Sequence, residues 1–132
     1  MVGKKKRTIT SYKKSLDRIF SIYIRKRDSN NEGYGQCCTC GEWLYWKNGD
    51  AGHYISRKHN NTRYHERNVH LQCRKCNRGG ERGASYAKFL VEKYGPDILN
   101  ELSCLEHKTK RWFVWELEEL IEQYKEKLEN KQ

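Results

Sequence analysis

Cys37-Cys38-Thr39-Cys40, Asp50-Ala51-Gly52-His53-Tyr54 and Asn68-Val69-His70-Leu71-Gln72-Cys73-Arg74-Lys75-Cys76-Asn77 are the segments on which the reading of this chain turns. Two Cys-x-x-Cys knuckles enclose one histidine, and an asparagine follows the second knuckle. Cys37, Cys40, Cys73 and Cys76 at this spacing suit one tetrahedral zinc ion that ties two distant segments together. Four protein ligands leave no open position for a substrate, so such a zinc is structural. Cys38 lies inside the first knuckle and is expected to point away from the metal. Cys104 falls in a helical region and is expected as a small core residue. The competing reading of six cysteines is a disulfide framework; paired knuckles favour metal.

Working outward, Tyr12, Leu16, Ile19, Phe20, Tyr23 and Ile24 recur at three- and four-residue spacing. That stripe predicts a helix from about Ser11, capped by Thr10 or Ser11 and ended by the polar, glycine-containing run 28–35. The first knuckle reads as a tight turn over 35–41. Residues 42–46 and 51–55 read as strands around an Asn48-Gly49 turn at 47–50. Residues 56–66 read as a basic loop. Val69 and Leu71 alternate with Asn68, His70 and Gln72, which predicts a short strand with two unlike faces. The second knuckle opens a short helix, broken at Gly79-Gly80. Further helices are expected over 84–94, after Pro96, and from about Thr109 to Leu128, the last with a stripe of Phe113, Leu117, Leu120, Ile121, Tyr124 and Leu128.

The chain has 132 residues, which fits one domain. Its mean hydropathy of -1.11 implies a modest apolar core, for which a metal staple is a natural supplement. Lys and Arg number 27 against 17 Asp and Glu, a net charge of +10. Such an excess favours a polyanionic partner, most simply nucleic acid. The basic residues concentrate in 1–27 and 57–82, whereas the end of the chain is acidic on balance. No apolar run approaches membrane-spanning length, and the basic start lacks a signal-peptide apolar stretch. A cytoplasmic location and no membrane partner are therefore expected.

His53 carries the chemistry. A neutral histidine can take a proton from water attacking a phosphodiester. Asp50 and Asn77 offer oxygen ligands of the kind magnesium or manganese accepts, and such a cation would stabilise the leaving oxygen. Asn68 could hydrogen-bond the backbone that carries His53. Arg57, Lys58, Arg63, Arg67, His70 and Arg78 are the candidate DNA contacts. Plainer readings stand beside these. His53 could be a core histidine, Asp50 the end of a turn, and Asn77 a helix-end residue. The arginines could be solvated charges, and Trp43, Trp46, Trp112 and Trp115 core residues.

Asp50 to Tyr54, together with Glu66 to Cys73, Cys76 and Asn77, resembles the HNH, or His-Me finger, endonucleases. More narrowly it is similar to the NinG/Rap recombination proteins of lambdoid phages. Ile24 to Asp28 before the first knuckle and Arg111-Trp112 before the last helix agree with it, and the resemblance covers roughly residues 9–129. It implies a ββα-metal core and magnesium-dependent cutting of branched DNA such as Holliday junctions and displacement loops. By position, His53 matches the general base, Asn77 the metal ligand at the helix start, Asn68 the central asparagine, and the four knuckle cysteines the zinc ligands. Gly52 stands where many HNH enzymes have Asp or His, so Asp50 is taken as the second metal ligand. The longer basic N-terminal segment of some members is not expected here.

The fold expected is α+β: a small zinc-stapled ββα-metal (HNH-like) core flanked by N- and C-terminal helices. Residues 1–8 form a flexible basic tail and 9–132 a single nuclease domain. The function expected is a metal-dependent, structure-selective endonuclease on branched DNA. It would use zinc structurally and magnesium or manganese catalytically, and a homodimer would match a two-fold junction. Three alternatives remain open: an HNH nuclease serving restriction, homing or packaging, a zinc module that binds DNA or RNA without cutting it, and a protein-interaction module that uses the aromatic or acidic helices.

Overall fold

The computed structural model describes residues 7–79 and 83–130. Its element order is α1 (Ile9–Arg27), β1 (Tyr34–Gln36), β2 (Trp43–Tyr45), β3 (Gly49–His53), α2 (Asn60–Arg63), β4 (Val69–Cys73), α3 (Arg74–Arg78), α4 (Gly83–Tyr94), α5 (Ile98–Glu106) and α6 (Val114–Asn130). Single 3-10 turns cover Trp46–Asn48 and Glu66–Asn68. The strands form two small antiparallel sheets, β1 with β2 and β3 with β4. Helices thus mix with two small sheets around the cysteine cluster.

Helix α1 forms for the reason its periodicity gives. Leu16, Ile19, Phe20 and Ile24 are buried along one stripe, and Arg25, Lys26 and Arg27 face the negative end of its dipole. The N-cap is Thr8 rather than Thr10 or Ser11; its hydroxyl accepts from the Ser11 N–H at 3.1 Å. Arg7 donates to the Ser15 hydroxyl at 2.6 Å, so residues 7 and 8 belong to the helix start. The rest of the expected tail, residues 1–6, lies outside the described residues, as does Gly80.

The α1 stripe packs on Leu117, Ile121 and Tyr124 of α6, with Tyr64 and Val69 completing this first core. Phe20 sits edge-on to Tyr64 and Tyr124, with ring centroids 5.7 and 5.1 Å away. Helix α6 begins at Val114, later than Thr109, because residues before it are held elsewhere. The Lys110 carbonyl accepts from Asn60 at 2.8 Å, and the Trp112 indole N–H donates to the Asn60 carbonyl at 3.3 Å. Glu116 then reaches back to the Phe113 N–H at 3.1 Å and closes the start. Phe113 is 51% exposed, outside the stripe assigned to it.

Strand β4 divides the molecule, and all five of its residues are buried. Val69 faces the first core. His70 faces a second, built from Cys38, Ile55, Tyr86, Leu90, Ile98 and Leu102. Along one edge β4 pairs with β3, from Gly49 opposite Cys73 to His53 opposite Val69. The other edge is closed by groups from the chain before it. The Asp28 carboxylate accepts from the Leu71 N–H at 2.9 Å. Arg27 donates to the Val69 carbonyl at 2.8 Å, and the Cys38 N–H donates to the Leu71 carbonyl at 2.9 Å. The Val69 carbonyl and both backbone groups of Leu71 are thereby paired.

Several expectations are corrected here. The 42–46 segment pairs with Tyr34–Gln36, a strand the sequence did not announce, and not with the strand carrying His53. The 47–50 turn is a 3-10 turn, and β3 already starts at Gly49. The 56–66 loop contains α2. Cys104 is exposed, whereas Cys38 is the one that fills a core. His70 is no DNA contact: it is 1% exposed, with its ring nitrogens 3.2 and 2.7 Å from the Tyr86 and Tyr94 hydroxyls.

Burial, reinforced by the Arg27 charge, pushes the His70 imidazole down to about 3. The unfolded chain therefore takes up this proton first, from about pH 6.5 downward. His70's contribution to stability should be constant above that value and erode as the pH falls from there toward about 3. By NMR, the His70 ring signals should stay those of a neutral imidazole down to about pH 5; a titration centred near 6.5 would show that the ring is not buried this way.

Candidate functional site

His53 ends β3, and three devices set its position. Its Nε2 lies 2.8 Å from the Arg63 carbonyl. A carbonyl can only accept, so Nε2 carries the hydrogen and the neutral ring keeps its lone pair on Nδ1. Arg63 is in turn pinned by Asp17 of α1, through Nε at 3.0 Å and Nη2. Asn68 clamps the loop between them. Its amide accepts from the Ile55 N–H at 2.8 Å and donates to the Ile55 and Thr62 carbonyls, each at 3.0 Å. Asn68 is fully buried and does not line the cleft. Its hydrogen bonds to the backbone after His53 are of the kind expected of it, and they hold the loop from inside the protein.

The second core also braces this strand. Tyr86 donates to the Gly52 carbonyl at 2.6 Å, directly beside His53. Gly52 lies close to the Gln72 side chain on β4, which would have to shift if a Cβ were added there. Burial holds the His53 imidazole below its ordinary value. The Arg63 carbonyl and Asp17 oppose the shift, and the Arg57 and Arg63 charges add to it. A lowered value keeps the ring neutral, and so able to accept a proton, at neutral pH.

His53, Asp50 and Asn77 line a single open cleft of about 520 Å³. The Asn77 amide donates to Asp50 Oδ2 at 2.9 Å across the β3–α3 junction. Arg25, Arg57, Arg74 and Arg78 surround them, with Asp17 on the α1 side. Arg78 approaches Asp50 to 3.5 Å and Arg74 to 3.9 Å. Four guanidinium groups against two carboxylates leave the cleft electropositive, a setting that favours a phosphate-bearing ligand.

Of the arginines expected to meet DNA, Arg57 and Arg78 line this cleft. Arg63 spends its side chain on Asp17 and contributes its carbonyl. Arg67 pairs with Glu101 at 3.3 Å and lies over Tyr94, and Lys58 is exposed outside the cleft. Arg25 and Arg74 were not singled out, although a signal existed. Asp17, Ser21 and Arg25 stand four residues apart on one edge of the α1 stripe. Arg74 and Arg78 stand one turn apart on α3.

The Sγ atoms of Cys37, Cys40, Cys73 and Cys76 all lie within 4.8 Å of one another. Cys40 and Cys73 are 3.9 Å apart. Tetrahedral zinc with bonds of about 2.3 Å needs sulfurs about 3.8 Å apart, so the cluster fits that ion. Burial raises the Cys37 thiol, but hydrogen bonds to its sulfur outweigh this and bring it to about 6. Cys73 is pushed up to about 12, chiefly by burial. A divalent cation is what would let all four ionise together. Asp50 and Asn77 form a different donor set, with one carboxylate and one amide oxygen. That pair suits a hard cation that keeps most of its waters.

The sequence profile of a family described as Bacteriophage Lambda NinG protein matches residues 3–132. Protein ninG of Salmonella phage P22 is 30% identical over 119 residues, which is 89% of this chain and 56% of that protein. Protein ninG of Escherichia phage lambda is 29% identical over 119 residues, 89% of this chain and 55% of that protein. The chain thus spans a little over half the length of these relatives. No solved structure matches it.

The cysteine cluster and the cleft share α3, because Asn77 follows Cys76. Stripping metal with a chelator should therefore loosen residues 34–45 and 73–78 and separate Asn77 from Asp50. The α1–α6 core should persist. Hydrogen exchange before and after chelation should show faster exchange in the first two segments and retained protection at Leu16–Ile24 and Leu117–Tyr124.

Proposed function

The chain belongs to the NinG family of phage proteins, and from that premise we propose that it is an HNH-type endonuclease that cuts branched DNA in phage recombination. Holliday junctions and displacement loops are the substrates meant. One observation carries the reading: His53, Asp50 and Asn77 meet in one arginine-rimmed cleft. The β3–β4–α3 succession that builds it has the order of a ββα-metal core.

In this reading His53, neutral and held through Nε2, accepts a proton at Nδ1 from water attacking the phosphorus in line. The Arg63 carbonyl keeps the ring's tautomer, and Asn68 and Tyr86 keep its position. Arg25, Arg57, Arg74 and Arg78 draw the phosphodiester into the cleft and offset its charge. Asp50 and Asn77 are the residues that would hold magnesium or manganese, which when bound would stabilise charge on the leaving 3′ oxygen. The ends produced carry 5′ phosphate and 3′ hydroxyl groups.

A second reading has its own observation. Asp50 is already met by Asn77, Arg78 and Arg74, a self-satisfied arrangement that suits a zinc module binding DNA without cutting it. Purified zinc-loaded protein should be tested on four-way junction, displacement-loop and linear duplex DNA with and without magnesium. Branched DNA should be nicked only with magnesium. His53→Ala should lose about 10²- to 10⁴-fold in rate while zinc content and junction affinity stay as in the wild type. Full cleavage by the mutant would refute the mechanism, and binding without cutting in magnesium or manganese would establish the second reading.

A further inference from the structure

Beside the cleft lies a second feature that the proposed chemistry leaves unused. The β1–β2 hairpin carries Tyr34 directly opposite Tyr45, with ring centroids 5.3 Å apart and planes tilted by 57°. Trp46 follows at 6.2 Å from Tyr45. Tyr34 is 48% exposed, and Trp43 on the same hairpin is 62% exposed. Three cations surround the Trp46 ring: Lys26 at 4.9 Å, Arg25 at 5.1 Å and Lys47 at 5.6 Å from its centroid.

We propose that Tyr34, Tyr45 and Trp46 form a stacking platform for unpaired bases of a DNA strand entering the cleft. The inference deepens the proposed DNA function and rests on it. Arg25 joins the two features physically. It lines the cleft and also donates to the Trp46 carbonyl at 3.2 Å. A strand whose phosphate lies by Arg25 therefore has its neighbouring bases beside Trp46.

The local backbone sets where the Tyr45 and Trp46 rings lie. Gly33 has φ of 92°, and a Cβ there would come within 2.6 Å of the Tyr45 ring and 3.1 Å of Trp46. The rings thus lie down on a bare stretch of chain. A hollow of about 310 Å³ opens beside Tyr45 and Trp46, lined also by Lys26, Asn30 and Glu32, whereas Tyr34 and Trp43 line the neighbouring hollow. An ordinary cross-strand aromatic pair explains the Tyr34–Tyr45 contact alone. It does not explain an exposed Tyr34 and half-buried Tyr45 and Trp46 ending in three cations beside a phosphate-type cleft. Aromatic rings flanked by cations recognise single strands, because every unpaired base offers a π-face and a charged backbone follows it. A base inside a duplex offers no such face, so the platform distinguishes DNA with unpaired bases from continuous duplex.

The test measures anisotropy of labelled oligo-dT, of a junction carrying unpaired bases and of linear duplex, without added magnesium. Zinc-loaded wild type is compared with Tyr34→Leu, Tyr45→Leu, Tyr34→Phe and, as an exposed ring elsewhere, Trp115→Leu. Each Leu variant of the platform should weaken oligo-dT binding about 5- to 150-fold. Tyr34→Phe, Trp115→Leu and all duplex affinities should stay within about twofold, less than one stacking interaction supplies. Zinc content and melting temperature check folding, and exposed Tyr34 decides the matter if Tyr45→Leu does not fold. Unchanged oligo-dT binding by Tyr34→Leu, or equal losses on duplex and single strand, would overturn the platform. Wild type that cuts branched DNA while Tyr34→Leu binds normally removes only the platform; wild type with no salt-dependent DNA affinity removes the DNA reading as well.

Discussion

The register between β3 and β4 is the constraint on which the rest depends. Five residue pairs set Gly49 opposite Cys73 and His53 opposite Val69, so one ladder carries both a zinc-type ligand and the candidate base. A slip of one residue would turn every β4 side chain to the other core. Val69 would leave the α1–α6 core, and His70 would lose the Tyr86 and Tyr94 hydroxyls. At Gly52 the chain lies close against the Gln72 side chain, which would have to shift to admit a Cβ. The strand's other edge is closed by Asp28, Arg27 and Cys38, which couples α1 and the first knuckle to the same register.

From that register the cleft follows by short connections. Helix α3 starts at Arg74, straight after the strand, so Asn77 arrives beside Asp50 one turn later. Helix α1, held over β3 by the first core, supplies Asp17, which fixes Arg63, whose carbonyl orients His53. Asn60 reaches Lys110 and Asn61 reaches Lys108, so the 55–63 loop is anchored to the α5–α6 connection. A small core is thereby enough to hold the histidine, because polar side chains carry the loop geometry that apolar packing does not.

The two cores serve different ends. The α1–α6 core is a large aromatic-lined contact made by long helices, and it resembles conventional domain packing. The second core is built around the buried His70 and Tyr86 and the half-buried Tyr94, which hydrogen-bond through the His70 ring. One of those groups, the Tyr86 hydroxyl, ends on the carbonyl next to His53. The interior thus reaches the cleft through a hydrogen bond, and a buried residue braces the strand that carries the candidate base.

The sequence by itself determined the cysteine cluster, the α1 and α6 stripes, and the family. Spacing of two and of three to four residues is local information, and the knuckle pattern places four cysteines where they could share one metal ion. His53, Asp50 and Asn77 are also legible in the sequence, and the fold brings them to one cleft. Only the tertiary structure decided which arginines join them. Arg63 and Arg67 had the same composition signal as Arg57 and Arg78 but are claimed by Asp17 and Glu101, carboxylates that lie 46 and 34 residues away. His70 read as a surface group because alternation says that a strand has two faces, not that both are covered. The β1 strand was illegible because three residues, one of them a glycine, carry no period. Long-range partners settle such matters, and no local pattern encodes them.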